Sequence, residues 1–280
     1  MDAELARKTA FVCCPFNLIV SDYLEKIISE RINPEIGLNG GVLDEFRMQS
    51  FRRIARIFRA SGTKCTVHAQ FTDLSIGAID RRIRRVSLDR LRQALEIAAI
   101  YGARSMVFHT GFDERHYFNL AGRWMENAVA SLDTLCSEAE SAGIPIMLEN
   151  VFEPSPAIHK ALFEAANSSI LKFCFDMGHQ QVFSKTELSI WLEELGQRIG
   201  QLHLHDNLGH KDDHLAIGSG ILDFDTLFSF LAARSIHPIL TLEPHGEEQV
   251  MPTLKGLEHL LKKFPVFMHA PSPKPETHQH

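Results

Sequence analysis

Residues 201–220 read QLHLHDNLGHKDDHLAIGSG. The segment opens on an alternation: over 200–205, His203 and His205 fall on one face and Leu202 and Leu204 on the other, which is the period of a strand. Beyond it, His210 and His214 stand among Asp206, Asp212 and Asp213, and Asp212 and His214 repeat the i, i+2 relation. Imidazole and carboxylate groups are the donors that a divalent cation takes. A polar loop rich in histidine is the competing reading of the same composition. The surrounding chain decides between them.

Working outward, the same unit recurs. Apolar runs at 9–16, 34–38, 64–71, 105–108, 144–148, 171–175, 201–205 and 238–242 read as strands. Helical spacing follows at 21–32, where Ser21 is placed to cap, and at 43–60, 80–101, 121–141, 185–199, 224–235 and 250–264. Gly62, Gly102 and Gly143 stand where three of these helices should stop. Strands apolar throughout, alternating with helices, imply a parallel sheet covered by those helices. Eight such units predict an α/β fold closed as a single (β/α)8 TIM barrel over residues 1–268. A doubly wound open sheet is disfavoured, because no GxGxxG follows the first strand. The tail HAPSPKPETHQH, residues 269–280, is Pro-rich and polar and is expected to be disordered.

Composition narrows the function. The 280 residues are 45% hydrophobic and carry a net charge of -6, which is not the basic footprint of a dedicated nucleic-acid binder. The one basic cluster, Arg81, Arg82, Arg84 and Arg85, reads as the solvent face of a helix. Five scattered cysteines with no CxxC imply reduced thiols and a cytoplasmic setting rather than a disulfide framework. No signal peptide or membrane-length apolar run is present. A small-molecule substrate is expected, with nucleic acid and membrane disfavoured; monomer and homodimer fit equally.

In a barrel, strand ends converge on one mouth, where chemistry is done. His68, His109, Glu149, Asp176, His203 and Glu243 each fall at or near the end of a different strand, from the third to the eighth. His179, Asp212 and His214 lie in the loops after the sixth and seventh. Clustered carboxylates repel and are costly to desolvate unless cations sit between them, so a divalent metal site is expected. His205 shares the inward face of His203 and is assigned to support of its neighbour or to substrate. His116, His159, His237 and His245 carry no spacing signal and read as surface or supporting residues. Phe16, Phe71, Phe112, Phe152 and Phe183 fall near the mouth, as an apolar surface or as packing under the loops.

The segments VFHTG (107–111), LEN (148–150), FDMGH (175–179), HLHDN (203–207), DDHLAIGSG (212–220) and LEPH (242–245) together resemble the xylose isomerase-like TIM barrel superfamily. The resemblance is to the branch that holds endonuclease IV and the sugar-phosphate isomerase/epimerases. It implies two alternatives. In the isomerase/epimerase type, one metal is held by Glu149, Asp176, His203 and Glu243, and the two glutamates act as acid and base beside a carbonyl. In the endonuclease IV type, His68 and His109 share Glu149 at a first metal. Asp176, His203 and Glu243 complete a second with that bridge, and His179, Asp212 and His214 hold a third.

Zn²⁺ suits these ligands best, with Mn²⁺ or Fe as alternatives, and up to three ions would serve phosphodiester hydrolysis. The resemblance assigns Asn150, His205, Asp206, Ser219 and His245 to support of the ligands or contact with substrate, Ser219 standing where relatives often carry an acid. The segments NPEIGLNGGVLDEF (33–46), VHAQFTDLSIGAID (67–80) and LENVFEPSP (148–156) are similar to cobamide-remodelling phosphodiesterases of the same branch. The expected function is thus a metal-dependent phosphodiesterase acting on a small molecule, with a single-metal sugar or cyclitol isomerase/epimerase as the alternative.

Overall fold

The computed structural model of the chain describes residues 3–166 and 168–269. Eight parallel strands close on themselves in sequence order: β1 (Ala10–Pro15), β2 (Asn33–Gly37), β3 (Thr66–His68), β4 (Met106–His109), β5 (Ile146–Glu149), β6 (Leu171–Asp176), β7 (Ile199–Leu204) and β8 (Ile239–Leu242). β1 pairs with β8 to complete the ring. The (β/α)8 expectation is met. Apart from His269, which ends a short 3-10 turn over Pro265–His269, the Pro-rich tail lies outside the described residues.

The strands have two different faces. Outward positions such as Ile36, Val67, Phe108, Leu148, Phe175, Leu202, Leu204 and Leu242 join the main apolar core beneath the helices. Inward positions form a small separate plug of Val107, Met147 and Cys174, with Ile239 against it. Above that plug the barrel interior turns polar. Register then stacks the functional side chains, with His109 level with Glu149 and Asp176 level with His203. Because side chains alternate along a strand, one set of positions packs the helices while the other fills the barrel.

Several boundaries differ from the sequence reading. Ser21 does not cap a helix. It lies in a π-turn, Ile19–Tyr23, inside a helical stretch that already starts at Phe16, and its hydroxyl donates to the Asn17 carbonyl. The helix expected over 43–60 is two, Gly40–Glu45 and Met48–Ser61. Asn39 caps the first, accepting from Val42 N at 2.9 Å. The helices Ala157–Ala166 and Met177–Phe183 had no clear signal and complete the βα units after β5 and β6. Asp80 caps Arg81–Tyr101 through Arg82 N and Ile83 N, and Arg81, Arg82 and Arg85 are exposed as expected. All five cysteines are free, three of them buried. Among the described residues, no helix is long and apolar enough to cross a membrane.

Candidate metal centre

The nine candidate ligands come together at the carboxyl ends of the strands. Glu149, 1% exposed at the end of β5, is their hub. Its Oε2 lies 3.2 Å from His68 Nε2 and 3.1 Å from His109 Nε2. Its Oε1 lies 3.1 Å from His203 Nδ1 and 3.4 Å from His179 Nδ1. One carboxylate therefore faces two groups of imidazoles with its two oxygens. His203 Nδ1 is also 3.1 Å from Glu243 Oε1.

A further cluster is formed by Asp212, which faces His179 at 3.3 Å and His214 at 3.1 Å through Oδ2. His205 belongs with it in space: its Nε2 is 3.2 Å from Asp176 Oδ2 and 3.6 Å from Asp212 Oδ1. The donor atoms of His179, His205, Asp212 and His214 all lie within 4.8 Å of one another. The histidines also stack. His205 lies on His214 at 3.8 Å between ring centroids, and His214 lies on His245 at 3.8 Å. His245 is the exposed end of that stack.

The backbone sets ring orientation. His68 Nδ1 meets the Ala69 carbonyl at 3.0 Å, His179 Nδ1 the Asn150 carbonyl at 3.0 Å and His214 Nδ1 the Glu243 carbonyl at 2.8 Å. Donation to those carbonyls fixes each tautomer and leaves Nε2 facing a carboxylate, the way metal-ligating histidines are held. Asn150 ties β5 to β6, donating to the Asp176 carbonyl and accepting from Asp176 N. A side chain at Gly178 would meet His205 at 2.1 Å, so only glycine lets the helix after β6 approach that ring.

Asp206 organises the loop that carries Asp212 and His214. It is 1% exposed and accepts from the backbone nitrogens of Asn207, Gly218, Gly220 and Leu222 at 2.9–3.2 Å. A Cβ at Gly220 would fall 2.2 Å from the Asn207 carbonyl. Ser219 is exposed and bonds through its backbone to Ala216. It stands in the turn and not among the ligands.

Electrostatics fit a cation centre. Burial would raise the Glu149 carboxyl, but the His203 and His109 imidazoles outweigh it and hold it well below the usual carboxylate range. Asp176 is likewise opposed by burial, yet His179 and His205 bring it to about 2. Burial disfavours the charged form of His214, but Asp212 and Glu243 raise it to about 9. Burial lowers His109. Even so, His109 Nε2, His203 Nδ1, His205 Nδ1 and Asp212 Oδ1 are buried without a hydrogen-bond partner among the described residues. Buried polar atoms are seldom left unsatisfied. Of these, His109 Nε2, His203 Nδ1 and Asp212 Oδ1 face other candidate ligands, and imidazole with carboxylate is the donor set of Zn²⁺, Mn²⁺ and Fe. The residues fit divalent metal.

At the rim, Phe71 is 49% exposed and stacks on His109 at 4.6 Å. Phe152, 46% exposed, meets Phe183 edge-on at 5.0 Å. Phe16 and Phe112 are buried packing residues instead. The loop cations are occupied: Arg115 pairs with Asp113, Lys185 with Glu114, and Lys211 faces Asp213.

Three supporting residues lay outside the expected site. Glu35 and Gln201 sit in the barrel beneath the ligands, both fully buried. His159, read from sequence as surface or supporting, is fully buried, and its Nε2 meets the Glu149 carbonyl at 3.1 Å. Glu35 did leave a signal, since a carboxylate alternates with Asn33 and Gly37 on one face of a strand. His159 left none, because its helix was not resolved by periodicity.

A profile of the family described as Xylose isomerase-like TIM barrel matches residues 35–263. An uncharacterized protein of Methanocaldococcus jannaschii is 28% identical over 87% of this chain and 94% of its own length. A probable endonuclease 4 of Aster yellows witches'-broom phytoplasma is 26% identical over 69% of this chain and 71% of its own. Among solved structures, a Thermus thermophilus protein soaked with ZnCl2 superposes with a TM-score of 0.75 at 27% identity, covering 91% of this chain and 98% of that one. A D-tagatose 3-epimerase-like protein gives 0.76 at 22% identity, over 92% and 98%; at that identity the likeness concerns the fold.

Proposed function

The chain belongs to the xylose isomerase-like TIM barrel family, and on that footing we propose that it is a phosphodiesterase that cleaves a small-molecule phosphodiester with a multinuclear divalent-metal centre. Zn²⁺ is the preferred ion, ahead of Mn²⁺ and Fe. The observation that carries this reading is the division of Glu149, with one oxygen toward His68 and His109 and the other toward His203. His68 and His109 would hold a first ion with Glu149. Asp176, His203 and Glu243 would hold a second with the same carboxylate, and His179, Asp212 and His214 a third, with His205 close by. Bound cations would supply water activation near neutral pH and neutralise charge on phosphoryl oxygens. Glu149 would orient the attacking water. Of the histidine stack, exposed His245 is the ring that substrate can reach.

The rim supports a particular kind of substrate. Phe71 and Phe152 offer apolar contact, while the net charge of -6 disfavours a nucleic-acid backbone. A phosphodiester with a large, partly apolar body fits this mouth, and the nucleotide loop of a cobamide is one such group. The relative named as a probable endonuclease 4 is in keeping with phosphodiester chemistry.

A second reading has its own observation. Glu149 and Glu243 both approach His203 Nδ1 at 3.1 Å, an arrangement that also suits two carboxylates moving a proton beside a sugar carbonyl over a single metal. The likeness to a D-tagatose 3-epimerase-like protein agrees with that alternative. One experiment separates them. The metal-loaded chain is offered cobamides, simple phosphodiesters and ketohexoses, products are read by mass spectrometry, and bound metal is counted. Phosphodiester cleavage with more than one ion per chain is expected. Sugar conversion with one ion per chain and intact phosphodiesters overturns the hydrolase reading.

A further inference from the structure

His68, His179 and His214 are each oriented by a backbone carbonyl. His203 is held by different means. Its Nε2 lies 3.0 Å from Oε1 of Glu35, a carboxylate on β2 with no exposed surface. The other oxygen of Glu35 is already taken. Oε2 accepts from Thr66 Oγ1 at 2.7 Å, Gln201 Nε2 at 2.6 Å and Thr241 Oγ1 at 3.3 Å. Among the described residues, His203 Nε2 is the nitrogen that faces Oε1.

Gln201 settles where the imidazole hydrogen belongs. Its Oε1 accepts from Ser105 Oγ at 2.6 Å, which fixes the orientation of the amide. Its two N–H hydrogens go to Glu35 Oε2 and to Thr241 Oγ1 at 3.0 Å. An amide has no third hydrogen to give, so the 3.4 Å approach of Gln201 Nε2 to His203 Nε2 cannot be a donation to the ring. His203 Nε2 therefore carries its own hydrogen on the side of the ring that faces Glu35 Oε1, a 3.0 Å ion-pair contact in which the N–H is not aligned as a hydrogen bond and Oε1 has no other partner among the described residues. Nδ1 is then the nitrogen left for a ligand, and it points between Glu149 Oε1 and Glu243 Oε1, 3.1 Å from each.

We propose that Glu35 is the positioning residue of the inner metal: from below the site it holds His203 in the Nε2–H tautomer and aims Nδ1 at the ion. Thr66, Gln201 and Thr241 hold Glu35 in turn, and Ser105 holds Gln201, so a buried polar network stands beneath this ring. A carboxylate behind a ligand imidazole raises its basicity and locks its orientation. The proposal rests on the reading of Glu149, Asp176, His203 and Glu243 as metal ligands, and it is independent of whether hydrolysis or epimerisation follows.

The test uses the zinc-loaded full chain with ¹⁵N-labelled histidine. In the wild type, a slowly exchanging imidazole N–H correlated with Nε2, assigned by its loss in His203→Asn, is expected. Glu35→Gln keeps the size and an acceptor but removes the charge. It should displace that resonance, weaken one zinc equivalent by about 10–100-fold and lower kcat more than it changes KM. Glu35→Asp should fall between the two, because its shorter arm retains charge but opens the 3.0 Å contact. An Nδ1–H correlation in the wild type overturns the proposal. So does an unmoved resonance with zinc affinity within about twofold of wild type, set against that 10–100-fold expectation. Circular dichroism checks folding, and if Glu35→Gln does not fold, the same two outcomes are read on Glu35→Asp. A wild-type chain that takes up no zinc removes the metal reading itself, before any variant is made.

Discussion

His203 and His214 are two buried imidazoles, 0% and 8% exposed, that both approach Glu243. His203 rides on β7, level with Asp176 on β6 and Thr241 on β8, and Glu35 stands behind it. To move it would mean deforming the barrel. His214 sits on a loop with φ +49, a left-handed conformation that costs a non-glycine residue on the order of 1 kcal/mol or more. Its place depends on Asp206, which gathers four backbone N–H groups of that loop. The inner cluster is therefore borne by strand ends, and the outer cluster takes Asp212 and His214 from one loop, with His214 tied back to the Glu243 carbonyl. If the outer cluster holds a separate ion, the two regions should be separable by mutation.

Glu149 spans the inner region, so its loss should have the largest effect. Glu149→Gln keeps the shape and removes the charge that faces His68, His109 and His203. Activity on a confirmed substrate should fall by about 10²–10⁴-fold, with the circular dichroism spectrum unchanged. Retained turnover would exclude Glu149 as the shared ligand.

Asp212→Asn comes next and strikes only the outer region. The Asp212 side chain, 25% exposed, faces His179 and His214, with His205 at 3.6 Å. Elemental analysis should show one metal equivalent lost, and hydrolysis should fall by about 10–100-fold. If metal count and activity both stay at wild-type values, the outer cluster is not a metal position, and the single-metal reading gains.

The pH response should separate the regions more gently. His214 is raised to about 9, so in the metal-free chain its charged form stabilises the fold fully below the unfolded value of about 6.5. That contribution is lost as pH rises through 9. Asp212 is depressed by its His179 and His214 partners, against burial, and its contribution is lost as pH falls below the usual carboxylate range. A metal must displace the His214 proton, so the outer ion should bind about tenfold more tightly per pH unit between 7 and 9 for each proton released. Calorimetry in buffers of different protonation enthalpy counts those protons. Uptake of the outer ion without proton release would contradict the assignment of His214.

What could be read without coordinates follows the same division. The barrel was legible because strand ends were marked by polar residues after apolar runs, as at Phe175 to Asp176 and Leu148 to Glu149. All nine ligand candidates could be named, because each falls at such an end or in the loop just beyond. What holds them was less legible. Asp206 was expected to support the ligands or touch substrate, and only the folded loop reveals the backbone groups that it collects. The roles of Gln201 and Glu35 could not be read from their own strands, because their partners come from other strands. Periodicity describes one element at a time, whereas these roles depend on several.

The smallest expected effect tests the comparison most finely. Asp206→Asn leaves one oxygen able to accept but puts an NH2 in place of the other, so two of the four backbone N–H groups lose their acceptor. A loss of about 1–3 kcal/mol is expected. It should fall on the loop alone. Hydrogen exchange at Gly218 and Gly220 should quicken and the outer metal equivalent should weaken by a similar factor, while amides of β5 and β7 keep their protection. If those strand amides loosen as well, loop and barrel form one cooperative unit, and His203 and His214 are not held independently after all.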